Sequence, residues 1–579
     1  MKTFDIPLVL CILYSYFLPI NSIDFGVEWT SWPEANCNVL PMAYAASWTS
    51  PQTNLPVTTD INGWPLNDSY VVLFDYAPQS NYNSDPYTFV PESIWGIYTV
   101  FFEGKGDIVL YPGIGQVMNV TFDPTTFTTL AFISLLSNNN TTTPGLVLGA
   151  SNTQRQDGRK GFTNFKVLQP NCSITQSLSY NGGFFTSNSI EAVKPFHHTR
   201  VHEWSGTNTI PVTYPKTVDW IERRLITDVF WASGAGEKSN AVGAPWESSL
   251  ILSHEAGNIS LWINVPVYAS TSYIESLALL FRNGNKTLNI LGLSCPYLYI
   301  EHGNELWLNE SNSPLNYAYN LAAAIGEVTT GNSPLNNDGE TNPIIWAQRR
   351  HAKRVYEISQ VFRNIFIETS IEIRPIYAWF QDYTSDAQAA LEWLEKTYGV
   401  GIVSKSFYGI AVNGYRGPGL FPSIPPLIGN SSPNDVLASL LASSDAAKVS
   451  RLNSFYLAQL FNLPLLTYEG SGWASPGGAY PNSKEFNITV NSIIAVNRGN
   501  LGAEQQAYDV QVGWNELGEL AAMNFYALSG NYWAYDAACF GLTEDVGNAF
   551  SSSKYVGVLD MIKKEKERER ERETRETIK

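Results

Sequence analysis

The sequence predicts an α/β protein whose main domain is a (β/α)8 TIM barrel, with an antiparallel β-sandwich inserted into it. Three observations indicate this fold class. From Phe196 onward, short apolar runs alternate with longer amphipathic segments, as strands and helices do in a parallel barrel. Counted from Ile23, the strand-like runs number eight, which is what a closed barrel of this kind needs. Residues 55–175 have a different character, with short strand-like runs about 8–12 residues apart.

Apolar periodicity predicts the barrel elements in chain order. Residues 23–54 hold the first strand, within Ile23–Trp32, and the loop after it. Residues 190–560 hold the other strands, predicted at Phe196–Glu203, Ser260–Val267, Tyr297–Glu305, Ile371–Phe380, Phe407–Val412, Leu463–Tyr468 and Met523–Leu528. Helices are predicted at Val218–Ala232 (capped by Thr217), Trp246–Ala256, Ser272–Arg282, Ile344–Phe366, Asp386–Tyr398, Asn434–Phe461 and Leu501–Ala522. The basic residues of Ile344–Phe366 are expected to form a solvated face.

Strand propensity and turn residues predict the inserted sandwich, residues 55–175. Strand-like runs at Tyr70–Phe74, Ile97–Phe102, Asp107–Tyr111 and Gln116–Thr121 are separated by Gly and Asn turns. This series is typical of a small antiparallel sandwich. Because it follows the first barrel strand directly, we expect an insertion after that strand.

The N-terminal segment has the composition of a secretory signal peptide, predicted over residues 1–22. Lys2 precedes an apolar run, Ile6–Leu18, and Asn21-Ser22 offers small polar residues for cleavage. The run is short for a bilayer span, so we expect no membrane contact after cleavage. An uncleaved N-terminal anchor is the alternative. The main expectation is a secreted, extracellular protein.

Cysteine and asparagine usage agrees with export. Beyond Cys11, the cysteines Cys37, Cys172, Cys295 and Cys539 allow up to two disulfides, in three connectivities. Asn-x-Ser/Thr sequons suggest a glycoprotein; they begin at Asn67, Asn119, Asn139, Asn140, Asn171, Asn258, Asn285, Asn309, Asn430 and Asn487.

Charge excludes some partners. The net charge of −17 argues against nucleic acid. Residues 563–579 are almost wholly Lys, Arg, Glu and Thr, with no apolar stripe to bury, and are predicted to be a disordered tail. The absence of a Cys-x-x-Cys pair argues against a zinc site. The oligomeric state stays open.

Two glutamates in matching positions are the candidate catalytic pair. Glu305 follows the strand that begins at Tyr297, and Glu469 ends the strand that begins at Leu463. Barrel enzymes carry their active sites where strands end. A pair of carboxylates is what hydrolysis of a glycosidic bond requires, and a retaining enzyme holds them about 5–5.5 Å apart. The competing explanation is that each glutamate merely caps a loop.

The sequence around these glutamates resembles clan A glycoside hydrolases, over roughly residues 23–50 and 190–560. The motifs that carry the resemblance are Asn304-Glu305 and Tyr468-Glu469-Gly470. A closer resemblance is to little-characterised secreted barrel proteins with E-x-x-NE-x-W and YEGG-like segments. Glu301, Asn304, Glu305 and Trp307 match the first segment. Ser471 replaces the last Gly of the second, which puts the geometry of the following loop in doubt.

The resemblance implies a secreted hydrolase that acts on a polysaccharide or glycan by double displacement. Glu305, after the fourth strand, would be the acid/base, and Glu469, after the seventh, the nucleophile. Asn304 would hydrogen-bond a sugar hydroxyl, and Arg200 matches an arginine of the relatives' second strand. Arg200 and Tyr415 are candidates for keeping Glu469 ionised. The mechanism requires neither a metal nor an organic cofactor.

Further side chains are candidates for other roles at the site. Trp307, Trp379, Trp473 and Trp533 follow or lie near strand ends, where they could stack on sugar rings; core packing is the competing explanation. Strand alternation puts His198 and His202 on the same face as Arg200. Metal binding there has no supporting carboxylate pattern.

Two other functions stay open. One is a non-catalytic carbohydrate-binding or cell-surface interaction protein on the same barrel, and the other is a structural extracellular glycoprotein without a ligand. A fold does not determine a function, so the sequence does not choose among them. Whether Glu305 and Glu469 face one cleft separates the hypotheses.

Overall fold

The computed structural model describes residues 23–30, 35–75, 91–110, 115–135, 145–173, 183–231, 242–307, 315–331, 333–417, 427, 430–470, 484–514, 520–529 and 540–578. In chain order the strands are β1 (Asp24–Glu28), β2 (Ser69–Asp75), β3 (Gly96–Glu103), β4 (Lys105–Leu110), β5 (Gln116–Asp123), β6 (Thr128–Leu135), β7 (Gly145–Gln154), β8 (Thr163–Leu168), β9 (His198–Arg200), β10 (Ser260–Val265), β11 (Tyr297–His302), β12 (Glu372–Trp379), β13 (Gly409–Asn413), β14 (Leu465–Gly470) and β15 (Leu520–Phe525).

Strands β1 and β9 to β15 close into a parallel barrel. Each pairs with the strand before it in this series, and β15 pairs with β1. All eight overlap the strands predicted from periodicity, and the predicted (β/α)8 barrel is confirmed. On β11, Tyr297 and Tyr299 pack inside the barrel, whereas Leu298 and Ile300 pack in the core that includes the surrounding helices. This alternation points every second side chain toward the barrel axis.

Helices surround the barrel. The α-helices are Ser187–Val193, Trp246–Glu255, Thr271–Asn283, Leu315–Thr329, Pro343–Phe366, Thr384–Tyr398, Ile402–Ser406, Pro433–Leu460, Lys484–Arg498, Asn500–Tyr508 and Ser553–Ile578, and a π-helix spans Asp509–Trp514. The predicted helix Val218–Ala232 is wrong: in the described part of that range only a single 3₁₀ turn, Trp220–Glu222, is helical. Residues 563–578, for which disorder was expected, belong to helix Ser553–Ile578.

The prediction that the basic residues of helix Pro343–Phe366 form a solvated face is also wrong. Arg349 and Arg350 are each only 8% exposed. Arg349 forms two hydrogen bonds to Asp338, at 2.8 and 2.7 Å. Arg350 donates to Glu327 at 2.8 Å. Because both guanidiniums have carboxylate partners, they can lie under neighbouring segments of the chain.

Strands β2 to β8 form two antiparallel sheets, in the orders β2-β7-β4 and β5-β6-β3-β8. They lie between β1 and β9 in the chain, so the predicted sheet insertion is confirmed. Its core includes Trp48, Phe102 and Phe165. Residues outside the predicted span 55–175 also pack there: Val39 and Leu40 before it, and Val229 and Phe230 from the loop after β9.

The described residues contain one disulfide bond, which belongs to one of the three possible connectivities. Cys37 and Cys172 are joined, with 5.6 Å between their Cα atoms. Cys295 is a buried free thiol, and Cys539 lies outside the described residues, as does the predicted signal peptide, residues 1–22. None of the helices in the described part of the chain combines the length and apolar character needed to cross a bilayer.

Candidate active site

Glu469 reaches the barrel interior because β14 departs from regular alternation. Leu466 and Tyr468 pack inside the barrel, so strict alternation would turn the next residue outward. The pairing of β14 with β15 shifts register between Thr467 and Gly470. Irregularities of this kind change the direction of a side chain. The carboxylate of Glu469 therefore joins the buried polar groups of the barrel.

Close backbone packing brings Tyr415 to the same carboxylate. The amide of Gly414 donates to the carbonyl of Glu469 at 2.5 Å. A Cβ atom on Gly470 would lie 3.3 Å from the Cα of Gly414, so the two glycines let these strand ends approach. Tyr415, the next residue, donates its hydroxyl to Oε2 of Glu469 at 2.7 Å.

Arg200 is the central cation of the site and is fully buried. It ends β9 and is 0% exposed. Its Nη1 lies 2.5 Å from Oε1 of Glu469 and 3.3 Å from Oε2 of Glu28. Its Nη2 lies 3.1 Å from Oε2 of Glu301 and donates to Oδ1 of Asn304 at 2.7 Å. One guanidinium thus serves three carboxyl groups, since its planar fork has five N–H donors.

Burial favours the protonated form of two of these carboxyls. Desolvation raises the pKa of Glu28 to about 7, and Arg200 only partly opposes the shift. Desolvation likewise raises the pKa of Glu301 to about 7, against the attraction of Arg200 and a 2.8 Å hydrogen bond from the indole of Trp262. His202 lies 2.7 Å from Glu28 through Nδ1, and burial lowers its pKa to about 4, so its ring is neutral at pH 7.

Glu305 comes three residues after the end of β11 and is partly exposed. Its backbone has a φ of 52°, a left-handed conformation that costs an L-residue about 1–2 kcal/mol. The turn before it is anchored to β10, because Asn264 donates to the carbonyl of Gly303 at 2.7 Å and the Gly303 amide donates to Val265 at 2.8 Å. Burial, and then the charge of Glu469, raise the pKa of Glu305 to about 8. The two glutamates therefore interact electrostatically.

The other predicted binding residues have different surroundings. Asn304 is 2% exposed and its side-chain amide donates to Asn208 at 3.1 Å, while its oxygen accepts from Arg200. Trp307 is half-buried; its ring stacks on Phe380 at 4.3 Å, and its indole donates to the hydroxyl of Tyr468 at 3.0 Å. Trp307 stays a candidate stacking surface beside the site.

Trp379 is a core residue and not the predicted sugar platform. It is 2% exposed, its ring stacks on Tyr377 at 5.7 Å and on His351 at 6.0 Å, and its indole donates to the carbonyl of Tyr383 at 2.8 Å. A side chain with this little exposed surface offers no platform to a ligand. Trp473 and Trp533 lie outside the described residues.

Several site residues were not singled out from the sequence. Glu28 ends β1 and pairs in register with Arg200. It has the same strand-end setting as Glu469, and that signal could have found it. Glu203 and Tyr526 follow β9 and β15, and the hydroxyl of Tyr526 donates to the carboxylate of Glu203. Among the described residues, no group of three or more His, Cys, Asp or Glu side chains is arranged to hold a metal ion.

The sequence matches no protein-family model and no curated protein. Among solved structures, the chain is similar to the GH51 arabinofuranosidase from Xanthomonas axonopodis pv. citri, at 14% identity and a TM-score of 0.31 over 59% of this chain and 60% of that one. It is similar to the 4-O-alpha-L-rhamnosyl-beta-D-glucuronidase from Fusarium oxysporum 12S, at 12% identity and 0.32 over 65% and 64%. It is also similar to xylanase10C from Cellvibrio japonicus, at 11% identity and 0.32 over 89% and 97%. The chain thus spans less than two thirds of the length of the first two, and likenesses this weak bear on neither substrate nor mechanism.

Proposed function

We propose that this protein is a retaining glycoside hydrolase that acts on a polysaccharide or glycan, with Glu469 as nucleophile and Glu305 as acid/base. The supporting observation is the contrast between the two carboxyls. Arg200 and Tyr415 donate to Glu469 at 2.5 and 2.7 Å, which stabilises its anion. Burial and the charge of Glu469 raise the pKa of Glu305 to about 8, which keeps it protonated at neutral pH. Two carboxyls in different environments, one of them kept protonated by burial, are the mark of an acid and nucleophile pair.

The reaction has two steps. In the first, Glu305 gives its proton to the glycosidic oxygen while a carboxylate oxygen of Glu469 bonds to the anomeric carbon, and the carbon–oxygen bond to the leaving group breaks. In the second, the Glu305 carboxylate takes a proton from water as the water oxygen displaces Glu469. Direct attack requires the carboxyls to lie about 5–5.5 Å apart, and that separation stays a prediction.

Single substitutions separate the two roles, once a screen of aryl glycosides and polysaccharides has found a substrate. We expect Glu305→Ala to form the glycosyl-enzyme from a glycoside with an activated leaving group, because such a group needs little protonation. Added azide should restore its turnover and give a glycosyl azide of retained configuration. Glu469→Ala should lose about 10³-fold or more on every substrate, because covalent catalysis is gone.

Glu275→Ala is the matched control, because Glu275 is exposed on helix Thr271–Asn283. It should keep the activity of the unchanged protein. Equal responses of the Glu305 and Glu469 variants to azide and to the leaving group would contradict the assigned roles. A protein that binds glycans yet cleaves none would instead be the carbohydrate-binding protein.

We also propose that the protein is exported and glycosylated. The disulfide Cys37–Cys172 supports this, since structural disulfides persist in oxidising compartments. Expression in a eukaryotic secretory host should give a protein in the medium that begins near residue 23 and loses mass on treatment with an N-glycosidase. Retention in the cell with an intact N-terminus would contradict this proposal.

A further inference from the structure

The charges of the candidate site bear on the sugar that it accepts. Five carboxyl groups belong to this part of the barrel, on Glu28, Glu203, Glu301, Glu305 and Glu469. Among the described residues, Arg200 is the cation that shifts the pKa of Glu305. The His202 ring is neutral at pH 7, because burial lowers its pKa to about 4. Arg200 balances the charge of one ionised glutamate, and each further ionised glutamate makes the site more negative.

Arg200 has no capacity left for an anionic ligand. Its side chain is 0% exposed, and it already contacts Glu28, Glu301 and Glu469. Its remaining contacts, to Asn304 and His202, are also buried. A ligand carboxylate could reach this guanidinium only by displacing a glutamate, which would leave a buried carboxylate unpaired.

Two arginines of the described strand-end loops have close carboxylate partners. Arg223 donates to Glu247 at 2.8 Å. Arg416, which follows Tyr415, is 0% exposed and pairs with Asp509 at 2.5 Å. Neither is available to a ligand in the barrel. In the loop after β9, Arg224 also lies 3.9 Å from Asp228, and Lys216 is exposed on the surface.

The segments that lie outside the described residues contain few Lys or Arg residues, as the sequence shows. Residues 31–34, 308–314, 418–426, 471–483 and 530–539, which come after β1, β11, β13, β14 and β15, contain no Lys or Arg. Residues 232–241, after β9, contain Lys238, which adjoins Glu237. Lys484 comes directly after residue 483 and adjoins Glu485. These six segments together therefore carry one lysine, Lys238, and no arginine.

We infer that the site takes a sugar ring without a carboxylate or sulfate at the position cleaved, and rejects uronic acids; this rests on the proposed function. A uronate would place its charge beside the buried carboxyl of Glu469, and among the described residues the cation that contacts this carboxyl, Arg200, is already paired with three glutamates. Burying an unpaired charge is costly, so discrimination against the acidic sugar should be large. A neutral sugar needs only hydrogen bonds, which Asn304, Glu305 and Glu203 can provide.

Matched pairs of 4-nitrophenyl glycosides that differ only at C6 test this inference at pH 7: glucoside against glucuronide, and galactoside against galacturonide, in both anomers. For the pair that is hydrolysed, we expect kcat/KM of the neutral member to exceed that of the uronide by about 100-fold or more. A ratio below about tenfold, or a preference for the uronide, would overturn the inference.

Substitution of Glu203 tests whether charge is the cause. Glu203→Gln removes an ionisable carboxyl but keeps an acceptor for Tyr526. Because burial raises the pKa of Glu203, the variant is compared with the unchanged protein at pH 9 as well as at pH 7. At pH 9 it should lower the ratio of kcat/KM for the neutral glycoside to that for the uronide about threefold or more. Glu275→Gln removes the same charge from the exposed side of a helix and should leave the ratio unchanged. An unchanged ratio at pH 9 in Glu203→Gln would contradict the explanation by charge.

Failure of the proposed function is a separate outcome. If no glycoside or polysaccharide is hydrolysed, calorimetry with neutral and uronate-containing oligosaccharides still measures which sugars the site binds. Binding of neutral oligosaccharides only would support the charge selection without catalysis. Tighter binding of the uronate-containing set, or no binding of a neutral oligosaccharide, would overturn it.

Discussion

At the scale of single residues, the site is organised by the contacts of Arg200. Three buried carboxyls share this guanidinium, so the ion pairs offset part of the cost of removing four charged groups from water. The compensation is incomplete, because the pKa values of Glu28 and Glu301 are raised to about 7. Each of the three carboxyls also contacts a further polar side chain: Trp262 for Glu301, His202 for Glu28 and Tyr415 for Glu469. Among the described residues, Arg200 and Tyr415 are thus the side chains that donate to the proposed nucleophile.

The raised pKa of Glu305 predicts the alkaline limb of the pH profile. Because Glu305 must be protonated in the first step, kcat/KM for an aryl glycoside with a poor leaving group should fall as pH rises through about 8. A leaving group that needs no proton should show a much weaker limb. The measurement is kcat/KM for both substrates from pH 5 to 10. If kcat/KM falls equally at alkaline pH for the two leaving groups, a residue other than Glu305 causes the fall.

The sequence predicted Glu305 and Glu469 from their positions after strands, and Arg200 from the resemblance to relatives with an arginine on the second strand. Arg200, Glu305 and Glu469 lie where strands end, and alternation gave the inward face of β9. It did not find Glu28 paired with His202, because that contact joins residues 174 positions apart and depends on the register of β1 against β9. It also could not give the register shift that turns Glu469 inward, since nothing in the run Leu465–Tyr468 marks it.

At the scale of elements, the loop after β9 explains why one predicted helix is absent. The apolar residues of 218–231 have helix-like spacing, but they pack in two different cores. Ile226 and Trp231 belong to the barrel core, whereas Val229 and Phe230 belong to the sandwich core. A straight helix presents one apolar face, so it cannot supply both cores over so few residues. Periodicity detects spacing and not the direction of burial.

Phe230, on the same loop, packs in the sandwich core, and its contribution to the free energy of unfolding can be measured. Phe230 is 5% exposed, and its ring lies 5.5 Å from that of Trp48. Phe230→Ala should lower the free energy of unfolding by about 3–5 kcal/mol, because it leaves a cavity in the sandwich core. Ile221→Ala is the control on the same loop, since Ile221 is 83% exposed, and it should change stability by less than about 0.5 kcal/mol. Chemical denaturation of both variants makes the comparison, and equal losses would contradict the packing argument.

At the scale of the whole molecule, stability depends on the protonation of the buried site. The folded pKa values of Glu28, Glu301 and Glu305, about 7, 7 and 8, lie above the ordinary 4.5. The folded state therefore holds more protons than the unfolded state above pH 4.5, and these groups make stability fall as pH rises toward 8. His202 and His351 act in the opposite direction, since their pKa values fall from 6.5 to about 4. Their effect is confined to the interval between pH 4 and 6.5.

Above pH 6.5 only the carboxyls of this set titrate, so the free energy of unfolding should fall between pH 6.5 and 8. The expected loss is on the order of 1–3 kcal/mol, because each deprotonating group contributes about 1.4 kcal/mol per pH unit while it titrates. Urea unfolding at steps of half a pH unit measures the slope. Glu305→Gln, which cannot titrate, should flatten it, and Glu275→Gln should keep it, since Glu275 is exposed. Stability that stays constant or rises over this interval would show that the three carboxyls are already ionised at pH 6.5, and that the site is more negative at neutral pH than their raised pKa values imply.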